Sequence, residues 1–166
     1  MKRIVIIGCG GAGKSTLARQ LGEKLDLPVV HLDGIFWLPG WVEMDRDEFD
    51  RRVREEMAKE KWIIDGNYNR TMPERIARCD TVIYLDFSRI TCLYGIFKRL
   101  LTNLGKTRPD MGRGCKEKID LEFLVWAWNY NKKHQQRYYK LLNEAKHAET
   151  IVLKNRRMVK KFLNSL

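Results

Sequence analysis

Five short runs of apolar, largely β-branched residues punctuate the chain: Ile4–Ile7, Val29–Leu32, Trp62–Ile64, Val82–Leu85 and Ile151–Leu153. Each is nearly continuous in apolar character rather than alternating, the pattern of strands buried on both faces. Between them the period lengthens to that of helices. Leu17, Ala18, Leu21 and Leu25 share one helical face, and Leu93, Ile96, Phe97, Leu100, Leu101 and Leu104 follow the i, i+3, i+4 rule. A longer segment from about Asp120 to Ala145 sets Leu121, Leu124, Val125 and Trp128 together, then Tyr138, Leu141, Leu142 and Ala145. Met158, Val159, Phe162, Leu163 and Leu166 close the chain as an amphipathic helix. Strand alternating with helix predicts an α/β fold with a parallel sheet, right-handed crossovers and helices on both faces. With no internal repeat and no linker-like segment, residues 1–166 are expected to form one domain.

One stretch breaks the pattern. Gly105 to Lys118 combines Gly105, Gly112, Gly114 and Pro109 with the cations Lys106, Arg108, Arg113, Lys116 and Lys118. A basic, glycine-rich loop between two helices reads either as a lid that closes over phosphates or as a solvated connection.

The 166 residues are 44% hydrophobic and 32% charged, with 12 Gly and 4 Pro, which excludes a disordered tail, a collagen-like fibre or a low-complexity linker. A net charge of +11 points to anionic partners: nucleotide phosphates, nucleic acid or an acidic surface. No stretch approaches the ~18 apolar residues that cross a bilayer, and the run after Met1-Lys2-Arg3 stops at Gly8, too soon for a secretory core. Cys9, Cys79, Cys92 and Cys115 form no CxxC pair. Neither a zinc site nor a disulfide framework is expected, and a reduced, cytoplasmic protein is the simplest reading. The pattern assigns no oligomeric state.

The chemistry is concentrated at Gly8-Cys9-Gly10-Gly11-Ala12-Gly13-Lys14-Ser15, which matches GxxxxGK[ST] at every fixed position. A β-branched strand leads in and a helical pattern leads out, the context this phosphate-binding loop requires. Gly8, Gly10, Gly11, Ala12 and Gly13 let successive backbone N–H groups turn toward phosphates, and the helix N-terminus adds its positive end. Lys14 is expected to reach the β- and γ-phosphates of ATP, and Ser15 to hold Mg²⁺, with Thr16 beside them. Asn131-Lys132-Lys133-His134 starts like a guanine-reading NKxD but lacks its Asp and lies within a helical pattern, so it is read as part of a solvated face.

The segment Gly8 to Ala18, GCGGAGKSTLA, resembles the opening of the adenylate kinase, shikimate kinase and gluconate kinase group. Asp65-Gly66, ending the third strand, resembles the Asp-Gly of nucleoside-monophosphate kinases, whose carboxylate acts through Mg²⁺-bound water. HLDGIFWLPGW (His31–Trp41), WIIDGNYNRT (Trp62–Thr71), the segment Asp80–Asp86 and DLEFLVWAW (Asp120–Trp128) together are similar to the bacterial DNA topology modulation protein family of adenylate-kinase-like P-loop proteins. That resemblance covers nearly the whole chain. It implies a five-stranded parallel sheet of order 2-3-1-4-5 with a small lid. Two departures weigh against AMP as acceptor: Asn69 stands where monophosphate kinases often carry Arg, with Arg70 one step late, and Gly95 stands where the first of two paired arginines is expected, Arg99 matching the second.

Around this core the remaining candidates divide. Asp33, after the second strand, lies where ligands bind in such sheets. It could deprotonate or orient an acceptor hydroxyl, bind Mg²⁺ through water, or cap a turn before Gly34. His31 shares its face and reads as structural. Asp65 is the stronger carboxylate, a water-mediated Mg²⁺ group. Phe36, Trp37 and Trp41 could stack on an acceptor ring or pin their loop to the core. Trp126 and Trp128 fall on different helix faces, with Trp128 expected in the core. Arg99 and Arg137, then the lid pair Arg108 and Arg113, are the candidates to neutralise a transferring phosphoryl group. Cys9 is given no chemistry. Lys154, Arg156, Arg157, Lys160 and Lys161 favour nucleic acid most, but no recognition motif accompanies them and a solvated face is preferred. The expected activity is phosphoryl transfer from Mg²⁺·ATP to a small acceptor such as a nucleotide, nucleoside or related metabolite. The rival is an ATP-binding, nucleic-acid-associated regulator with little turnover.

Overall fold

The structure, a computed structural model, describes every residue except Ile119. Its main sheet holds β1 (Arg3–Gly8), β2 (Val29–His31), β5 (Trp62–Asp65), β6 (Thr81–Leu85) and β7 (Glu149–Leu153), all parallel, in the order β2-β5-β1-β6-β7. Counting only these strands, the order is the expected 2-3-1-4-5. Apolar positions explain it: Ile4–Ile7, Trp62–Ile64 and Val82–Leu85 are almost wholly buried, as strands covered on both faces must be. Each such aliphatic side chain removed from water contributes about 1.5–3 kcal/mol before entropy is counted.

Helices surround the sheet. α1 (Lys14–Leu25) packs across β1, β2 and β5 through Leu17, Ala18 and Leu21 and touches α7 (Arg156–Asn164). α4 (Met72–Arg78) leans on β1, and α5 (Arg89–Asn103) packs on α6 (Leu121–Glu144). Side-chain caps set several starts: Ser88 for α5, Asp120 for α6 and Asn155 for α7 each accept an otherwise unpaired N–H of the first turn. Among the described residues no helix is long and apolar enough to cross a membrane.

Between β2 and β5 the chain does more than the sequence pattern predicts. α2 (Leu32–Phe36) leads into an antiparallel hairpin of β3 (Trp37–Leu38) and β4 (Val42–Glu43), and α3 (Arg46–Ala58) follows. Asp45 caps α3 by accepting from the N–H groups of Asp47 and Glu48, and Phe49, Val53 and Met57 form its buried stripe. That stripe is narrow on an otherwise charged helix, which is why apolar periodicity passes over it.

The Gly105–Lys118 segment is folded against the hairpin. Leu104 bridges to Glu117 and Thr107 to Lys116; Trp41 Nε1 donates to the Lys116 carbonyl at 2.9 Å. Trp41 itself has φ 65°, a left-handed backbone costly for a bulky side chain, held by this bond and by its ring against Trp37. Met111, Asp110, Cys115 and Glu117 are buried, so the segment is more than a solvated connection.

Two apolar stripes depart from expectation. On α5, Cys92, Ile96 and Leu100 face the core, whereas Phe97, Leu101 and, just beyond the helix, Leu104 face outward. On α6, Ala127, Tyr130, Tyr138 and Leu142 face inward, and Leu121, Val125 and Trp128 are exposed, so Trp128 is not a core residue; Arg89 sits over its ring at 4.6 Å. The inward positions of α6 combine small and tyrosyl side chains, which a count of aliphatic residues undervalues.

Where α5 crosses the glycine loop the approach is too close for any side chain. A Cβ on Gly95 would lie 2.0 Å from the Gly11 carbonyl oxygen. Gly95→Ala is therefore expected to cost about 1–3 kcal/mol and, if the glycine loop binds nucleotide as its sequence predicts, to weaken that binding together with it; chemical denaturation and ATP titration of the variant check this.

Candidate functional site

The C-terminal ends of β1, β2 and β5 open into one cleft of about 980 Å³. Gly10, Gly11, Gly13, Lys14, Ser15 and Thr16 line one side; Asp33, Trp37, Glu43, Asp65 and Tyr68 line the other. Gly8 and Ala12 are buried behind the loop rather than on its open face.

The loop's shape follows from its glycines. Gly8, Gly11 and Gly13 have φ of 149°, 76° and 97°, values that side-chain-bearing residues rarely adopt. A Cβ on Gly11 would meet the Cys92 carbonyl oxygen at 2.2 Å, and one on Gly10 the Phe123 ring at 2.5 Å. Lys14 Nζ donates to the carbonyls of Gly8 and Cys9 at 2.9 and 3.1 Å. Asn67, which sequence reasoning passed over, grips the same loop with both ends of its amide: its Oδ1 accepts from the Gly8 N–H at 3.1 Å and its Nδ2 donates to the Gly8 carbonyl at 2.9 Å. Cys9 is buried with its thiol held above the ordinary range by hydrogen bonding with Cys92 and by burial, so it stays protonated.

Two carboxylates face this loop with partners of their own. Tyr68 Oη donates to Asp33 Oδ1 at 2.8 Å; burial and the Asp33 charge push the phenol's pKa far up, so it remains a donor. Asp33 thus sits in the first turn of α2 with its carboxylate held by Tyr68 on the side of the cleft that faces the glycine loop. Asp65, nearly wholly buried, lies 2.7 Å from His31 Nδ1, its register partner on β2. Burial alone would lower the His31 pKa, but the hydrogen bond and charge of Asp65, with Asp110 beyond, raise it above the ordinary value.

Beneath them, Arg75 is fully buried and donates to the carbonyls of Gly66 and Tyr68 at 2.8 Å each, fixing the turn that carries Asn67 and Tyr68. Burial pulls its pKa down to about 10, which leaves it charged at neutral pH. Arg70 turns away from the cleft onto Asp47 and Asp50.

The arginine candidates separate. Arg99 Nε donates to Glu117 Oε1 at 2.8 Å and its guanidinium lies over the Phe123 ring. Arg108 donates to Asp110 Oδ2 at 2.7 Å, and its Nε lies 2.7 Å from Glu117 Oε2, out of line for a hydrogen bond. Both line the cleft, so the buried Glu117 ties the two cations together. Arg113 and Arg137 are exposed and do not line it; Arg137 adjoins the inward-facing Tyr138 on α6 and so points outward. Lys98 and Arg156 line the cleft instead, Arg156 beside Gly13 at the start of α7, which brings one member of the basic C-terminal cluster to the loop.

The aromatic cluster also divides. Trp37 lines the cleft, Phe36 packs on Phe49 and Tyr68, and Trp41 pins the hairpin to the 105–118 segment. Trp126, stacked on Phe123, lines the opposite rim.

Ser15 and Asp65 both reach the cleft, and hydroxyl plus carboxylate oxygens suit Mg²⁺, which takes one or two protein oxygens and completes its shell with water and phosphate. Among the described residues no group of three or more His, Cys, Asp or Glu forms a ready metal cage.

No family model matches the chain. Over 80 residues, 48% of its length, it is 30% identical to each of two adenylate kinase sequences from Thermotoga neapolitana, and spans 36% of their length. Among solved structures it is similar to shikimate kinase from Bacteroides thetaiotaomicron, with 18% identity, a TM-score of 0.56 and coverage of 99% of this chain and 95% of that one. Shikimate kinase from Acinetobacter baumannii, solved in complex with shikimate, gives 16% identity, a TM-score of 0.63 and coverage of 99% and 90%. The parallel α/β fold is shared with these shikimate kinase structures.

Linkage gives the His31–Asp65 pair a testable signature. A histidine raised in the folded state stabilises fully below its unfolded pKa near 6.5, and that stability is lost as pH rises through the folded value. In metal-free buffer the stability advantage of the native chain over His31→Gln should be greatest below pH 6.5 and shrink at higher pH. Urea titrations of both proteins across that range measure it.

Proposed function

We propose that this chain is a P-loop phosphotransferase that moves the γ-phosphoryl of Mg²⁺·ATP to a hydroxyl of a small acceptor, in the class of nucleosides, nucleotides and related metabolites. The observation that carries this reading is the Tyr68–Asp33 pair facing the glycine loop across one cleft. The loop N–H groups and Lys14 would hold the β- and γ-phosphates, with Lys14 exchanging its carbonyl partners for phosphate oxygens. Ser15 would ligate Mg²⁺ directly and Asp65 through water, an ion whose chemistry is to neutralise charge on the β- and γ-phosphates.

Asp33, oriented by the Tyr68 hydroxyl, would take the acceptor's proton as the acceptor oxygen bonds to the γ-phosphorus and the bond to the ADP oxygen breaks. Arg99 and Arg108 would leave Glu117 in part to meet the transferring phosphoryl oxygens. Arg113 and Arg137 are given no role. A hydroxyl acceptor is favoured over a phosphate because Asp33 and Tyr68 face the cleft together, and on the segment after β5 Arg70 is committed to Asp47 and Asp50 and Arg75 to backbone carbonyls. The motifs from His31 to Trp41 and Trp62 to Thr71 support grouping the chain with the kinase-like DNA topology modulation proteins.

Asp33→Asn is expected to keep ATP affinity and lose at least ~10²-fold in kcat with an acceptor found by screening, since general-base help is typically worth ~10²–10⁴-fold. Near-normal kcat in the variant contradicts the hydroxyl assignment and returns a nucleoside monophosphate to first place.

A further inference from the structure

Helix α5 has two apolar faces, and the fold uses one. The outward face carries Ile90, Tyr94, Phe97 and Leu101 at spacings of four, three and four, with Ile90 71% and Leu101 87% exposed. On α6 the outward stripe is Leu121, Val125 and Trp128, spaced four and three, with Leu121 73% exposed. Arg89 lies over Trp128 and Arg99 over Phe123, so the two helices run antiparallel side by side and their stripes lie along one two-helix surface.

Both stripes are heptad a/d seams. Such a seam is narrower than the broad apolar face by which a helix buries itself in a domain core or lies in a lipid interface, and it is the geometry that receives another helix. No charged residue falls on the α5 seam; Lys132, at the next seam position of α6, ends the stripe there.

The area is decisive. The seven residues expose on the order of 800 Å² in all, above the ~300–600 Å² of the largest apolar patch on a typical monomer and comparable to what one partner buries in a standard interface. We propose that a second copy of this chain covers this face, two α5–α6 hairpins meeting about a two-fold axis as a four-helix contact. Identical seams satisfy each other in an isologous pairing, which needs no other partner surface. The opposite side of α5 abuts the glycine loop through Gly95, so the pairing would brace the helix that supports the phosphate site.

Sedimentation equilibrium of the full chain, from about 1 to 100 µM, tests this. The expected mass is twice the 19.7 kDa of the chain, and Leu101→Arg and Val125→Arg, one on each helix, should each sediment as monomers with unchanged circular dichroism and ATP affinity. A native chain that remains at 19.7 kDa throughout overturns the proposal, as does a dimer that survives both substitutions. So does a monomeric native chain that co-sediments with phosphatidylglycerol vesicles while the two variants do not, since the face would then be a lipid surface.

Discussion

The site depends on a stretch of backbone from which side chains are excluded. Gly8 lies against Leu85 of β6, and Gly11 is wedged against the Cys92 carbonyl and Gly95 of α5. These are separations at which a single methyl group would displace the neighbouring main chain. The exclusion lets the loop curl as a phosphate-binding loop would need to, and it ties the loop's shape to the packing of α5 on the sheet. A glycine inside α5, which costs about 1 kcal/mol of helix propensity, is explained by that contact.

The second organiser is the C-terminal end of β5. Asp65 pairs with His31, Asn67 grips Gly8, Tyr68 holds Asp33, and Arg75 beneath them donates to the carbonyls of Gly66 and Tyr68. Four consecutive residues therefore reach the neighbouring strand, the glycine loop, the α2 carboxylate and a buried cation. An unpaired buried arginine would be costly, so the carbonyls it bonds are held as firmly as the charge requires. The glycine loop and the Asp33 carboxylate are thereby set by one turn, the alignment that the proposed phosphoryl transfer would demand.

Much of this was legible in the chain because parallel strands and the glycine loop have strong local signatures. Ile4–Ile7 and Val82–Leu85 are buried on both faces, and glycine, lysine and serine at that spacing between a strand and a helix make a distinctive local pattern. What escaped was relational. α3 carries its burial on three residues amid charges, Phe49, Val53 and Met57, too few to stand out by period. Asn67 looks like an ordinary loop amide until Gly8 is seen opposite it. Glu117 gives no hint in sequence that it binds Arg99 and Arg108 at once. Trp128, Phe97 and Leu101 group with inward residues in the sequence because apolar period reports an apolar face, not which face the fold buries. Cation counting misassigned emphasis for a similar reason: Arg137 is one residue from Tyr138 yet points the other way, whereas Arg156, one of a run of basic residues, sits beside Gly13.

The proposed function makes the glycine loop and the opposing carboxylates one phosphoryl-transfer site. The most direct measurement incubates the protein with Mg²⁺ and γ-labelled ATP against a panel of nucleosides, nucleotides and other hydroxylated metabolites, with Lys14→Ala alongside. Label is expected to move to a hydroxyl of at least one acceptor at a rate that depends on that acceptor, and Lys14→Ala to abolish the transfer. Label released only as inorganic phosphate, unaffected by any acceptor and accelerated by DNA, would contradict the proposed function.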